Sequence, residues 1–139
     1  MKNVLLILVV LFLTGCSNRD PVRADASENY TGTYKFAIAS PNGFVSKYTW
    51  VITRRSVNLL DFDMQKIVVR GDGSEISSRD TATEVEVKDE KRLHFSYIDT
   101  NRRLVEVTLL AAPKKLTMTS TTLQGDDATH VAWYAFDKQ

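Results

Sequence analysis

The chain has 139 residues, 18 Lys and Arg against 17 Asp and Glu, and 43% hydrophobic content. A near-neutral charge without a basic stripe or an acidic run argues against a nucleic-acid binder or an acidic tail. With a single cysteine there is no disulfide framework, so one domain must stand on its core alone.

Lys2 precedes an unbroken apolar run from Val4 to Leu13, ten residues long. A membrane-spanning helix needs roughly 20 apolar residues, and Asn18, Arg19 and Asp20 end the apolar stretch at once. The charge, the short apolar core and the small residues after it divide as a secretory signal does. Leu13-Thr14-Gly15-Cys16 then resembles the lipobox of a bacterial lipoprotein. The resemblance implies cleavage after Gly15 and diacylation of the Cys16 thiol with palmitate-type chains, often with a third chain on the new amine. Two or more buried chains anchor stably where one holds marginally, at about 0.8 kcal/mol per buried methylene. Ser17 stands where an aspartate would favour inner-membrane retention in enteric-type cells, so the resemblance implies a bacterial cell-envelope protein of the outer membrane, reached through the periplasm. Loss of residues 1–15 removes Lys2 and leaves 17 basic against 17 acidic residues.

Residues 16–29 are polar, contain Pro21 and lack apolar periodicity, which predicts a lipidated N-terminus and tether. A β domain is expected over 30–137. Tyr34, Phe36 and Ile38 alternate with Thr33, Lys35 and Ala37, and Pro41-Asn42-Gly43 marks a turn. Phe44 to Ile52 alternates again, Arg54-Arg55-Ser56 interrupts, and Val57 to Phe62 and Lys66 to Arg70 read as two further strands. Gly71-Asp72-Gly73 suits a tight hairpin, because glycine tolerates positive φ. Thr83, Val85 and Val87 alternate with glutamates. Leu93, Phe95 and Tyr97 follow after Asp89-Glu90-Lys91, and Val105, Val107 and Leu109 after Asp99-Thr100-Asn101. Past Pro113, Leu116, Met118 and Ser120 alternate with threonines, and Gln124-Gly125-Asp126-Asp127 is the last turn. The closing strand, Thr129 to Phe136, offers Val131, Trp133 and Ala135 on one face and Tyr134 and Phe136 on the other. The pattern predicts an all-β antiparallel meander of eight or nine strands, either an up-and-down barrel or a β-sandwich.

Tyr30-Thr31-Gly32-Thr33-Tyr34 at the head of this meander resembles the opening of lipocalin-like domains, with Tyr34 where the family places a tryptophan. The resemblance implies a barrel that encloses one small ligand or fills with side chains. No arginine here is assigned to the family's later structural position.

The chemistry-bearing residues are sparse. His94 and His130 lack ligand spacing and a remaining thiol, which argues against a metal. Asp61-Phe62-Asp63 puts two carboxylates on one face, as a strand end also does, and Gln124-Gly125-Asp126-Asp127 lacks further oxygen ligands for calcium. No Gly-x-Ser-x-Gly elbow occurs, and Gly71 and Gly73 do not open a helix, so neither a serine nucleophile nor a phosphate loop is indicated. Arg70-Gly71-Asp72 matches a receptor-read tripeptide, but a hairpin tip asks for the same residues. The basic pairs Arg54-Arg55, Arg102-Arg103 and Lys114-Lys115 fall at strand ends and do not form one patch. What remains is aromatic. Tyr34, Phe36, Tyr48, Trp50, Phe95, Tyr97 and Trp133 would line an apolar cavity, or equally build a solid core. The expectation is therefore a non-enzymatic, lipid-anchored barrel without cofactor. It is held at the membrane by Cys16 and binds an apolar small molecule or lipid. The alternative is a solid-core module that docks on or inhibits an envelope protein.

Overall fold

The computed structural model describes residues 24–124 and 127–139, with only the backbone described for 124 and 127–131. The expected signal peptide, the Gly15 cleavage point and Cys16 lie outside the described residues, as do the Gly125-Asp126 turn and the His130 side chain.

A 3-10 turn, Ser27–Asn29, precedes eight strands: β1 (Gly32–Ala39), β2 (Val45–Ser56), β3 (Leu59–Val69), β4 (Glu75–Glu86), β5 (Arg92–Ile98), β6 (Leu104–Ala112), β7 (Lys115–Gln124) and β8 (Asp127–Lys138). They form one antiparallel sheet in the order β4-β3-β2-β1-β8-β7-β6-β5. β1 is paired on both sides, through Gly32–Ala39 with β2 and through Tyr34 and Lys35 with the end of β8. The sheet curls until its edge strands β4 and β5 come beside each other without a backbone ladder, so the barrel is nearly closed. This selects the barrel over the sandwich. The expected strands Val57 to Phe62 and Lys66 to Arg70 are one strand, β3, continuous through Asp63-Met64-Gln65 because that stretch pairs with both β2 and β4.

Inward residues follow the period of two. Trp50 and Ile52 of β2, Leu60, Phe62 and Met64 of β3, Leu93 and Phe95 of β5, Val105, Val107 and Leu109 of β6, and Leu116 and Met118 of β7 are buried. β4 keeps the pattern only by slipping one residue. Its register shifts opposite Leu60 and Phe62 while Glu84 takes φ 58°, a bulge that buries both Ala82 and Val85.

Three hairpins at one end share a hydrogen-bond pattern. Gly43 N–H donates to Ser40 O (3.0 Å), Gly73 N–H to Arg70 O (3.0 Å) and Arg102 N–H to Asp99 O (2.9 Å), each closed by a second bond across the strand ends. The residue in the left-handed region is Gly43 (φ 77°), Gly73 (φ 81°) and Arg102 (φ 62°) respectively.

The opposite end is plugged. Ala26, Ser27 and Tyr30 are buried. Tyr30 Oη donates to Asp89 O at 3.0 Å, and Asn29 Nδ2 to Glu90 O at 3.1 Å. Residues 24–29, expected as tether, are thus part of the fold. The segment is polar and aperiodic because side-chain to backbone bonds hold it, rather than an apolar stripe.

Candidate functional site at the open mouth

At the unplugged end the barrel opens into a cavity of about 210 Å³. Inward positions of β2, β3, β5, β6, β7 and β8 build its walls: Tyr48, Trp50, Met64, Tyr97, Val107, Met118 and Tyr134. Its rim carries Lys66, Asp80, Asp99 and Arg103.

A chain of ring contacts runs from the core to this mouth. Phe95 and Phe62 lie 4.5 Å apart between centroids, Trp50 meets Phe136 at 5.2 Å, and Phe36 meets Tyr134 at 5.1 Å. Tyr48 and Tyr134 stack obliquely at 5.1 Å, with their hydroxyls 3.4 Å apart. One phenol of that pair donates to the other, which leaves the second O–H free to donate elsewhere. Burial, then the Tyr48 hydrogen bond, pushes the Tyr134 phenol up to about 12. Burial, reinforced by Asp80 and then Asp99, raises the Tyr97 phenol well above its usual range. Both are therefore neutral hydrogen-bond groups at physiological pH.

The rim charges differ in their commitments. Asp99 is enclosed by its own turn. Its Oδ1 accepts Asn101 N–H (2.9 Å) and Arg103 N–H (2.8 Å), and its Oδ2 accepts Arg103 Nε (2.8 Å) and Nη2 (2.7 Å). Burial works to raise this carboxyl, but the Arg103 contacts outweigh it and hold it below the ordinary range. Asp80 accepts Thr100 N–H at 2.8 Å, which clasps β4 to the β5–β6 turn. Lys66 Nζ sits 5.5 Å from the centre of the Tyr48 ring. Neither Asp80 nor Lys66 has an ion-pair partner among the described residues.

Of the seven aromatic residues singled out in the sequence, Tyr48, Trp50 and Tyr97 line the cavity. Phe36 and Phe95 pack within the barrel behind them. Tyr34 lies towards the plugged end, buried, with Lys138 Nζ 5.8 Å from its ring centre. Trp133 does not join them. It is 66% exposed on the outer face, and β8 turns Tyr134 and Phe136 inward instead. That register places two rings against Phe36, Tyr48 and Trp50, where the other would have buried one. Tyr134 is thus a wall residue that the sequence reading misses, although its alternation with Trp133 is visible there.

The remaining candidates resolve into structural roles. Asp63 is paired with Arg79, and Asp61 with Arg55, on the outer face. His94 Nδ1 lies 3.1 Å from Thr108 Oγ1 on the outside of β5. Arg70-Gly71-Asp72 is at a hairpin tip, where Asp72 Oδ1 accepts Ser74 N–H (2.9 Å) and Ser74 Oγ–H (2.6 Å). Among the described residues no group of three or more His, Cys, Asp or Glu is placed to hold a metal ion.

A second concavity, about 490 Å³, follows the seam between β4 and β5 and is lined by Val85, Glu86, Arg92, Leu93, His94 and Phe95 among others.

No protein-family model and no curated protein matches the chain. Among solved structures it is similar to a redesigned β-barrel, mFAP1, bound to DFHBI (TM-score 0.53, 23% identity, covering 84% of this chain and 100% of that one). It is similar also to a de novo designed fluorescence-activating β-barrel (TM-score 0.54, 19% identity, 84% and 99% covered). A third is EF1p2_mFAP2b bound to DFHBI (TM-score 0.55, 16% identity, 83% and 98% covered). At these identities the likeness is one of fold: the chain is a small antiparallel β-barrel.

Proposed function

We propose that this protein is a lipid-anchored lipoprotein of the bacterial cell envelope whose barrel captures a small molecule, with an apolar group, at its open mouth. The observation that carries the reading is the mouth itself: a cavity walled by Tyr48, Trp50, Tyr97 and Tyr134 and rimmed by charge, at the one barrel end that the 24–30 segment does not plug. Ligand sites are concave, with polar groups that orient the ligand against an apolar wall; this mouth is rich in the polar kind, with Gln65, Ser78 and Ser120 in its lining beside the rim charges. Two of the similar barrels are described as bound to DFHBI, which supports a small-molecule role for a barrel of this shape. A volume of about 210 Å³ favours a single ring or branched group over an acyl chain. It lies below the roughly 300–1,000 Å³ of drug-sized sites. The anchor rests on Leu13-Thr14-Gly15-Cys16. The aromatic packing that fills the barrel behind the mouth favours the second reading, a solid-core module that docks on an envelope protein.

Native mass spectrometry on the full chain, extracted in detergent from a bacterial envelope, tests the first reading. A stoichiometric small-molecule adduct is expected, and it should be lost in Ser120→Phe, which fills the cavity. A clean apo mass with no uptake of added apolar or amphiphilic small-molecule probes would leave the docking module. The intact mass also reads acylation of Cys16 directly, and an unmodified, uncleaved N-terminus would overturn the anchor.

A further inference from the structure

We infer that the ligand of the mouth is a small zwitterion with an apolar side group, of the free amino-acid type. This rests on the capture reading above and names its ligand class.

The inference comes from what the rim charges leave undone. Asp99 and Arg103 satisfy each other and are spent on the β5–β6 turn. Asp80 and Lys66 are not ion-paired with each other or with any other described residue. They sit on adjacent strands of the inner wall: Lys66 is opposite Ser78, and Asp80 is opposite Met64. That makes them diagonal neighbours, about 7–8 Å apart at the backbone, with opposite charges held apart over an aromatic floor.

Each charge has neutral helpers of the right sense. Lys66 lies beside the Tyr48–Tyr134 phenol pair, whose second O–H is free to donate. An ammonium and a phenolic donor together suit a carboxylate. Asp80 spends Oδ1 on Thr100 N–H and keeps Oδ2 for an incoming ammonium, with the Tyr97 phenol nearby. An α-amino acid carries both charges on one carbon, so its side group points away from both poles. Here that direction leads down to Trp50, Met64 and Met118. Such a ligand would neutralise both poles at once, whereas a singly charged one leaves the other pole partly desolvated and unpaired.

The test is calorimetric titration of the full lipid-anchored chain in nonionic detergent with four probes. These are L-phenylalanine, hydrocinnamate (which lacks the amine), phenethylamine (which lacks the carboxylate) and neutral indole. Phenylalanine is expected to bind at least about ten-fold more tightly than either singly charged analogue. In Lys66→Gln its affinity should fall to that of phenethylamine. In Asp80→Asn it should fall to that of hydrocinnamate, while the amide oxygen still accepts Thr100 N–H and keeps the clasp. Equal binding of phenylalanine and its analogues, or binding of indole alone, would overturn the zwitterion while leaving the capture reading intact. If none of the four binds and no native adduct is found, the capture reading itself fails.

Discussion

The side-chain carbonyl of Asn58 accepts the backbone N–H of Ala26 at 2.8 Å, across 32 positions of sequence. Asn58 also donates from Nδ2 to Ala24 O at 3.4 Å, receives Val87 N–H on its own carbonyl at 2.8 Å, and holds φ 55°. One turn residue thus ties the plug to both flanks of the closed end. Asn58→Gly keeps the backbone conformation and loses the side-chain bonds, so it should cost about 1–2 kcal/mol. Asn58→Ala adds the left-handed penalty of about 1–2 kcal/mol. Urea unfolding should therefore rank wild type above Gly and Gly above Ala. A Gly variant as stable as wild type would show that the side chain is not what holds the plug, and Ala above Gly would show that the left-handed backbone carries no penalty there.

Asp25 makes the plug sensitive to acid. Its carboxylate accepts Ser27 Oγ–H (2.5 Å), Asn58 N–H (3.1 Å) and Ser27 N–H (3.1 Å), with Arg54 Nη2 at 2.7 Å. These bonds, the Ser27 hydroxyl first, lower its pKa from 3.8 to about 2. A carboxyl depressed in the folded state contributes stability above its unfolded pKa and loses it as pH falls through the folded one. The advantage of wild type over Asp25→Asn should be constant above about pH 5 and shrink to nothing as pH approaches 2. A urea midpoint series against pH reads this directly.

Arg102 occupies, at φ 62°, the left-handed position that Gly43 and Gly73 fill in the two matching hairpins. Arg102→Gly relieves a penalty of about 1–2 kcal/mol and gives back part of it as unfolded-chain entropy. A net gain of about 0.5–1 kcal/mol is expected. Thermal denaturation should show a higher midpoint, and a lower one would mean that the Arg102 side chain has a stabilising contact.

Gly32 sits at φ 142°, and a Cβ there would fall 2.6 Å from Lys138 Cε. The lysine tip can move aside; the backbone cannot. Gly32→Ala should therefore cost about 1–3 kcal/mol from the dihedral alone. Lys138→Ala in the same chain should fail to restore it. Full rescue in the double variant would place the cost in the clash instead.

The two tryptophans are separable by solvent. Trp50 is 5% exposed and Trp133 is 66% exposed. Iodide should quench Trp133 emission and spare Trp50. Trp133→Ser should change stability by less than about 0.5 kcal/mol, whereas Trp50→Ala should cost about 3–5 kcal/mol.

The turns are the most legible part of the sequence, because Gly43 and Gly73 sit where the backbone demands positive φ. Strand faces are legible wherever apolar and polar residues alternate cleanly, as in Leu93-His94-Phe95 and Val105-Glu106-Val107. They are not in β8, where both faces carry aromatics and only the partner strands decide which turns inward. β3 divides in two in the sequence because Asp61 and Asp63 read as a strand end. In the barrel they lie on its outer face beside Arg55 and Arg79, contributed by β2 and β4. The poles of the mouth are illegible for a related reason. Lys66 and Asp80 are fourteen positions apart in sequence, and only the β3–β4 register makes them neighbours. The plug escapes a sequence reading because its grip is made of polar bonds between 24–30 and the remote residues Asn58, Asp89 and Glu90.

The unladdered seam between β4 and β5 gives this cylinder a slit along its length. A sealed barrel can change its girth only by breaking backbone hydrogen bonds, strand by strand. Here the circumference can widen by parting side chains, because the slit is fastened at one end by the chain itself through residues 87–91 and at the mouth by Asp80 and Thr100. The bore behaves as a split collar. Near the mouth its calibre is held by the Asp80–Thr100 clasp, so a change of girth there would strain one side-chain bond before it unravelled any of the sheet.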